Sequence, residues 1–318
     1  MSQSVVLPVA SVLKTGFSIG ICAADSAANL DKLLGLITSE SYPAGLTLRR
    51  IVLVASGCDP QALVFARELS RQDQRLVLIE EPTRRGKSVA INQIIEELDG
   101  EFLVLVNSDA IPEPGAISRL MHEIARDESA GMISASPVVG DEGGITGGVL
   151  RLIWGIHNEF LQKLNHGDLN NRCCDELLVL RAKALQKLPP DTVNDGAYLA
   201  GMAHLAGYSI RFCEAAKVRI DVPRNFVDIV RQRRRIVYGH FQIWKTVGQP
   251  PRTLESMLTS HPLLCLSILI RTLAGSLRLV AALPVALVGE AASILLAICD
   301  NASSTRKHIP WKRFGSRS

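Results

Sequence analysis

The sequence predicts an α/β protein: a mainly parallel sheet flanked by helices, followed by apolar helices at the C-terminal end. Three observations carry that expectation. Over about residues 17–106, short apolar runs rich in β-branched residues recur four times with helical patterns between them, the order that right-handed βαβ crossovers produce. Each run ends in a small or polar turn, where backbone amides can approach a ligand at one edge of the sheet. After Pro250-Pro251 the composition changes, and residues 262–299 are almost wholly apolar.

Residues 1–16 read as a lead-in without the charged start and apolar core of a secretory signal. Phe17–Cys22 is the first strand, left through the turn Ala23-Ala24-Asp25-Ser26. From Asn29 onward Leu30, Leu33, Leu34 and Ile37 follow helical spacing, and Tyr42-Pro43-Ala44-Gly45 ends that helix. Arg50–Val54 is the second strand, its turn is Ala55–Pro60, and a helix follows over about 60–72. Leu76–Ile79 is the third, leading through the basic turn Thr83-Arg84-Arg85-Gly86-Lys87 into a helix across 88–98.

Phe102–Val106, the fourth strand, is apolar throughout and suits burial on both faces. Asn107, Ser108 and Asp109 follow it, and ligands of open α/β sheets bind beyond the carboxyl ends of strands. The same residues would serve as a helix-capping turn. Farther on, Gly143-Gly144 and Gly147-Gly148 bracket a flexible turn, and Leu150–Leu164 is an amphipathic helix. Leu177–Leu180 is a strand followed by a helix to Leu188. Asn194-Asp195-Gly196 opens another helix, where Asp195 suits a cap as well as a site. Residues 207–212 turn into a strand, and Val218-Arg219-Ile220 closes the region.

Composition narrows the function. In 318 residues there are 35 Lys+Arg against 31 Asp+Glu and only 5% aromatics, which argues against a nucleic-acid partner. Seven cysteines without a C-x-x-C pair suggest packed thiols in a reducing compartment. Neither a Walker A frame nor a G-x-G-x-x-G fingerprint is present, against a P-loop NTPase and an NAD enzyme. Gly86-Lys87 at a helix start suits a phosphate. Residues 224–245 are strongly basic, with Gln232 and Arg235 on one helical face, matching phosphate oxygens or simply a solvated surface.

Leu279–Cys299 is long enough to span a bilayer, yet Pro284 and Glu290 weaken a span, and Arg271 and Arg278 weaken the segment before it. A hairpin lying partly in the membrane fits better, with a buried helical pair as the alternative. The tail, with Arg306, Lys307, Lys312, Arg313, Arg317 and Trp311, has the charge expected beside an anionic, cytoplasmic leaflet.

Together these motifs resemble the inverting glycosyltransferases of family 2, of GT-A fold. Ile21–Asn29 resembles that family's first strand and turn, and Val52–Asp59 its second. Gly86-Lys87 with Ala90 and Asn92 is similar to its G-K-x-x-A-x-N helix start. Asn107-Ser108-Asp109-Ala110 stands in the place of its D-x-D metal signature, Asn194-Asp195 in that of its E-D pair, and Gln232–Ile236 in that of its Q-x-x-R-W segment.

The resemblance implies a GT-A domain over 1–245, a mixed and mainly parallel sheet, and a membrane-association region over 250–318. It implies Asp195 as catalytic base, Asn194 on the acceptor side, and Asp109 holding Mg²⁺ or Mn²⁺. It gives the nucleotide and its diphosphate to Ala24, Asp25, Ser56, Lys87, Ser108, Gln232, Arg233 and Arg235. The donor would be a nucleotide sugar, and the acceptor a glycan or a lipid-linked molecule at the cytoplasmic face of a membrane. Asn107, Asn194 and Ile236 depart from the family pattern, so a catalytically inactive sugar-nucleotide-binding scaffold is the alternative. A nucleotidyltransferase would need a Gly- and Arg-rich first turn, which Ala23–Ala28 lacks.

Overall fold

A computed structural model of the chain describes residues 15–25, 29–140, 143–165, 169–274, 276–303 and 308. In its first half β1 (Thr15–Asp25), α1 (Leu30–Ser39), β2 (Leu46–Cys58), α2 (Pro60–Gln72), β3 (Leu76–Glu81), α3 (Lys87–Glu96) and β4 (Phe102–Asn107) alternate. The four strands pair in parallel in the order β3-β2-β1-β4. Alternate residues of each strand enter opposite layers. Ile19, Ile21 and Val104 pack with Leu30, Leu33 and Ile37 of α1 on one face. Val52, Val54 and Leu103 pack with Ile91 and Ile94 of α3 on the other.

The second half is mixed. β5 (Ala110–Pro112), α4 (Ala116–Arg126), β6 (Ala130–Val139), α5 (Gly144–Asn165), β7 (Leu177–Arg181), α6 (Asp195–Leu205) and β8 (Ser209–Ile220) complete a sheet of eight strands, β3-β2-β1-β4-β7-β6-β8-β5. β7 runs antiparallel to both β4 and β6, and β5 antiparallel to β8, whereas β6 and β8 are parallel. The start of β7 therefore lies at the rim where β4 ends, and Asn107 N donates to Glu176 O at 3.1 Å.

Several local expectations need correction. Ala23–Asp25 and Ala55–Cys58 are not turns but the last residues of β1 and β2. Gly144, Gly147 and Gly148 lie inside α5 rather than in a flexible turn, and Gly148 faces Ala282. No helix runs from Arg181 to Leu188. Only a 3₁₀ turn forms at Ala182–Ala184, because Asn92 accepts from Leu188 N and donates to Leu188 O, both at 2.8 Å, holding that backbone extended. The strand entered over 207–212 runs on to Ile220, with a register shift after Cys213 where it bulges.

α7 (Phe226–Val247), α8 (Leu254–Met257), α9 (Pro262–Leu273) and α10 (Leu277–Ala302) finish the chain. The inner face of α10 docks on α7: Glu290 takes both arms of Arg233 at 2.7 and 2.8 Å, and Asp300 takes both arms of Arg234 at 2.5 Å. Its outer face is apolar and exposed, with Val280, Leu287, Val288 and Leu295 at 48–65% exposure. Among the described residues α10 alone is long and apolar enough to cross a membrane by length and composition. The basic tail residues and Trp311 lie outside the described residues, as does Ser26.

Candidate active site

A cavity of about 790 Å³ lies at the rim where β1, β2 and β4 end, and continues between α5, α7 and α10. From the sheet Ala24, Ser56, Ser108 and Asp109 line it, from helix starts Lys87, Asn194 and Asp195, and from α7 Gln232, Arg233 and Arg235. These are the residues that the motifs single out, save Asp25, which ends β1 and whose side chain lies outside the described residues.

Asp195 opens α6, where the aligned peptide dipoles favour a carboxylate. The loop before it is fixed from two sides. Ser88 of α3 donates to Thr192 O at 2.8 Å, and Gln242 of α7 accepts from Val193 N and donates to Asp191 O, each at 2.8 Å. Gly239 brings α7 close, since a Cβ there would stand 2.7 Å from Asn194 Cβ. Asn194 itself caps α6, accepting from Ala197 N at 3.1 Å, while also lining the cavity.

Asp195 is 5% exposed and meets a cation: Lys87 Nζ lies 2.7 Å from Asp195 Oδ2 and 3.5 Å from Asp175 Oδ2. Burial opposes the charge of Lys87, but attraction to the two carboxylates outweighs it and holds the ammonium above its ordinary pKa. Lys87 follows Gly86, which leads into α3 at φ 104°, a conformation that a side chain would strain. Both Lys87 and Asp195 line the cavity.

A second group of acids occupies the same rim. Asn107 Nδ2 donates to Glu176 Oε2 at 2.8 Å. Burial, then Asp175 and Asp109, pushes Glu176 up to about 8. Burial is the larger cause, and the two neighbouring carboxylates add negative potential that a divalent cation would relieve. Among the described residues no three His, Cys, Asp or Glu side chains are arranged to enclose a metal. The hard oxygen of Asp109 suits Mg²⁺ or Mn²⁺ completed by ligand oxygens rather than a closed protein cage.

The polar wall elsewhere is partly engaged. Ser56 Oγ donates to Glu81 at 2.7 Å, and Arg235 Nε donates to His308 O at 3.2 Å. Arg233 is committed to Glu290. Sequence reasoning passed over Asp175 and Glu176, whose place at the rim depends on β7 being antiparallel, a pairing that no local pattern reveals. It also passed over Arg172, His157 and His240, which line the far half of the cavity.

The chain was compared with known proteins. The model of "Glycosyl transferase family 2" matches residues 18–189, from β1 through β7, and that of "Glycosyl transferase family group 2" matches residues 174–299, reaching α10. No curated protein matches by sequence. Among solved structures the chain is similar to the mannosyltransferase PcManGT from Pyrobaculum calidifontis in complex with GDP-Man and Mn²⁺. That likeness has a TM-score of 0.62 at 19% identity and covers 91% of this chain and 87% of that one.

Proposed function

This chain belongs to glycosyl transferase family 2, and from that premise we propose that it is an inverting enzyme, moving a sugar from a nucleoside-diphosphate donor to an acceptor at a membrane surface. One observation carries the reading: a helix-start carboxylate, a cation, an acidic rim and a cationic helix face share one cavity. Asp195 takes the proton of an acceptor hydroxyl as that oxygen attacks the anomeric carbon. The bond from that carbon to the diphosphate breaks, and its electron pair leaves with the nucleoside diphosphate. Lys87 sets positive charge beside Asp195, and Gln232 and Arg235 present hydrogen-bond donors from α7. Asp109 would hold Mg²⁺ or Mn²⁺, whose part is to neutralise the charge developing on the leaving diphosphate.

The GDP-Man and Mn²⁺ in the similar mannosyltransferase support a nucleotide-sugar donor and a divalent cation here.

For residues 250–318 the reading is a membrane-association region, facing the cytoplasm, that rests in the plane of the bilayer. A helix crossing the bilayer at α10 would draw the Arg233–Glu290 and Arg234–Asp300 pairs of its inner face toward hydrocarbon, at high cost. Lying flat, α10 gives its apolar face to lipid and leaves α7 on the wet side.

The test is a calorimetric panel of nucleotide sugars with and without Mn²⁺. One member should bind with an affinity that rises with metal, and Asp109→Ala should remove that rise. Failure of every member to bind would defeat the proposal.

A further inference from the structure

The transfer chemistry occupies the end of the cavity formed by the sheet rim, the starts of α3 and α6, and Gln232 and Arg235 of α7. The far half, between α5, α7 and α10, is different in kind. Leu150, Trp154, Phe160 and Leu283 give it apolar walls. Leu287 lines it from α10 and is also 60% exposed on that helix's outer face, so the wall toward the outer apolar surface is thin.

Set into these walls is Arg172. Among the described residues its guanidinium has one side-chain partner, His157 Nδ1 at 3.2 Å, and no carboxylate within ion-pair distance. Arg233 nearby is already neutralised by Glu290. An arginine only donates, so Nδ1 of His157 accepts, and the proton of the neutral ring sits on Nε2. That Nε2 is buried and without a hydrogen-bond partner, while His157 lines the cavity. Burial, then Arg172 and Arg233, holds the imidazole well below its ordinary pKa, in agreement with a neutral ring. Glu255 also lines this half, 3.7 Å from Arg233 and within electrostatic reach of Arg172, but it makes no ion pair with Arg172, so a guanidinium and an orphaned N–H remain to meet an incoming acceptor.

We propose that Arg172 and His157 form the head-group site for the acceptor, and that this acceptor is an amphiphile whose phosphate sits on them while its apolar chain follows the wall of α5 and α10. The proposal rests on the transferase reading and deepens it by naming the acceptor class. A phosphate offers oxygens in several directions, enough to meet both the guanidinium and the Nε2–H; a planar carboxylate matches the guanidinium alone. A hydroxyl elsewhere on such an acceptor is left for Asp195.

The experiment uses the full chain in non-ionic micelles and follows Trp154 fluorescence, with Trp244→Phe and Trp311→Phe removing the other emitters. Dodecyl phosphate is titrated against dodecanol, dodecanoate and inorganic phosphate. Dodecyl phosphate should bind about tenfold or more tightly than any of the three, the gain expected of a charge-assisted contact that an apolar chain reinforces. Arg172→Gln should erase the preference, Arg172→Lys should keep part of it, and His157→Phe should weaken binding while melting temperatures stay close to wild type. Equal binding of dodecyl phosphate and dodecanol, stronger binding of dodecanoate, or a preference that survives in Arg172→Gln would each overturn the site. Preference for inorganic phosphate over the alkyl form would overturn the apolar-chain half of the proposal. A protein that binds the alkyl phosphate but no nucleotide sugar overturns the transferase reading and not this site; one that binds a nucleotide sugar but prefers no phosphate overturns this site alone.

Discussion

Asp195 shows how a single side chain can be both held and available. Lys87 at 2.7 Å supplies the charge that allows its burial, and both residues line the cavity. Asp195→Asn keeps the shape and loses the proposed base. Turnover should fall about 10²- to 10⁴-fold, with donor affinity nearly unchanged; a variant turning over at the wild-type rate would remove Asp195 from the mechanism. Glu176 makes a different prediction. Its folded pKa of about 8 stands above the ordinary 4.5, so between those values the folded chain keeps a proton that the unfolded chain releases. Stability is then greatest below about pH 4.5 on this account and falls as pH rises toward 8. Calorimetric melting across that window should show the decline, and Glu176→Gln should flatten it. Of these residues Asp109, Asp195 and Lys87 were legible because each follows a strand end or opens a helix. Arg172 was not, since it lies in a stretch without regular structure, and His157 passed as one more residue of an amphipathic helix.

Among elements, legibility followed the strength of the local signal. α2 was read at its observed limits, 60–72, because Asp59 caps it and Pro60 fixes its first turn. α4 went unread although Ile117, Leu120, Met121 and Ile124 recur at helical spacing, and β6 with it, so the second half of the sheet was underspecified. β7 was read as a strand over Leu177–Leu180, but its antiparallel pairing was not, since pairing direction is set by partners distant in sequence. α10 was read as apolar, but only the structure separates its faces: Glu290 and Asp300, which argue against a span when taken as composition, point inward to arginines. The outer face can therefore be altered without disturbing the inner one. Val288→Asp with Leu295→Asp should abolish flotation with anionic lipid vesicles and leave the melting temperature within a few degrees. Undiminished flotation would return α10 to an ordinary covering helix.

At the scale of the molecule, the sheet edge and the apolar helices are walls of one chamber rather than neighbouring modules. Gln232, Arg233 and Arg235 of α7 face the cavity, while Glu290 and Asp300 fasten α10 along the same helix. In the proposed reading, the chemistry and the surface attachment share a structural member. Leu287 expresses the consequence, since it borders the chamber on one side and the exterior on the other. If that exterior is lipid, an acceptor reaching the chamber past Leu287 arrives by lateral diffusion and is counted per unit area, not per unit volume. Diluting the bilayer with inert lipid would then starve the enzyme even while the total amount of acceptor in the flask stayed the same.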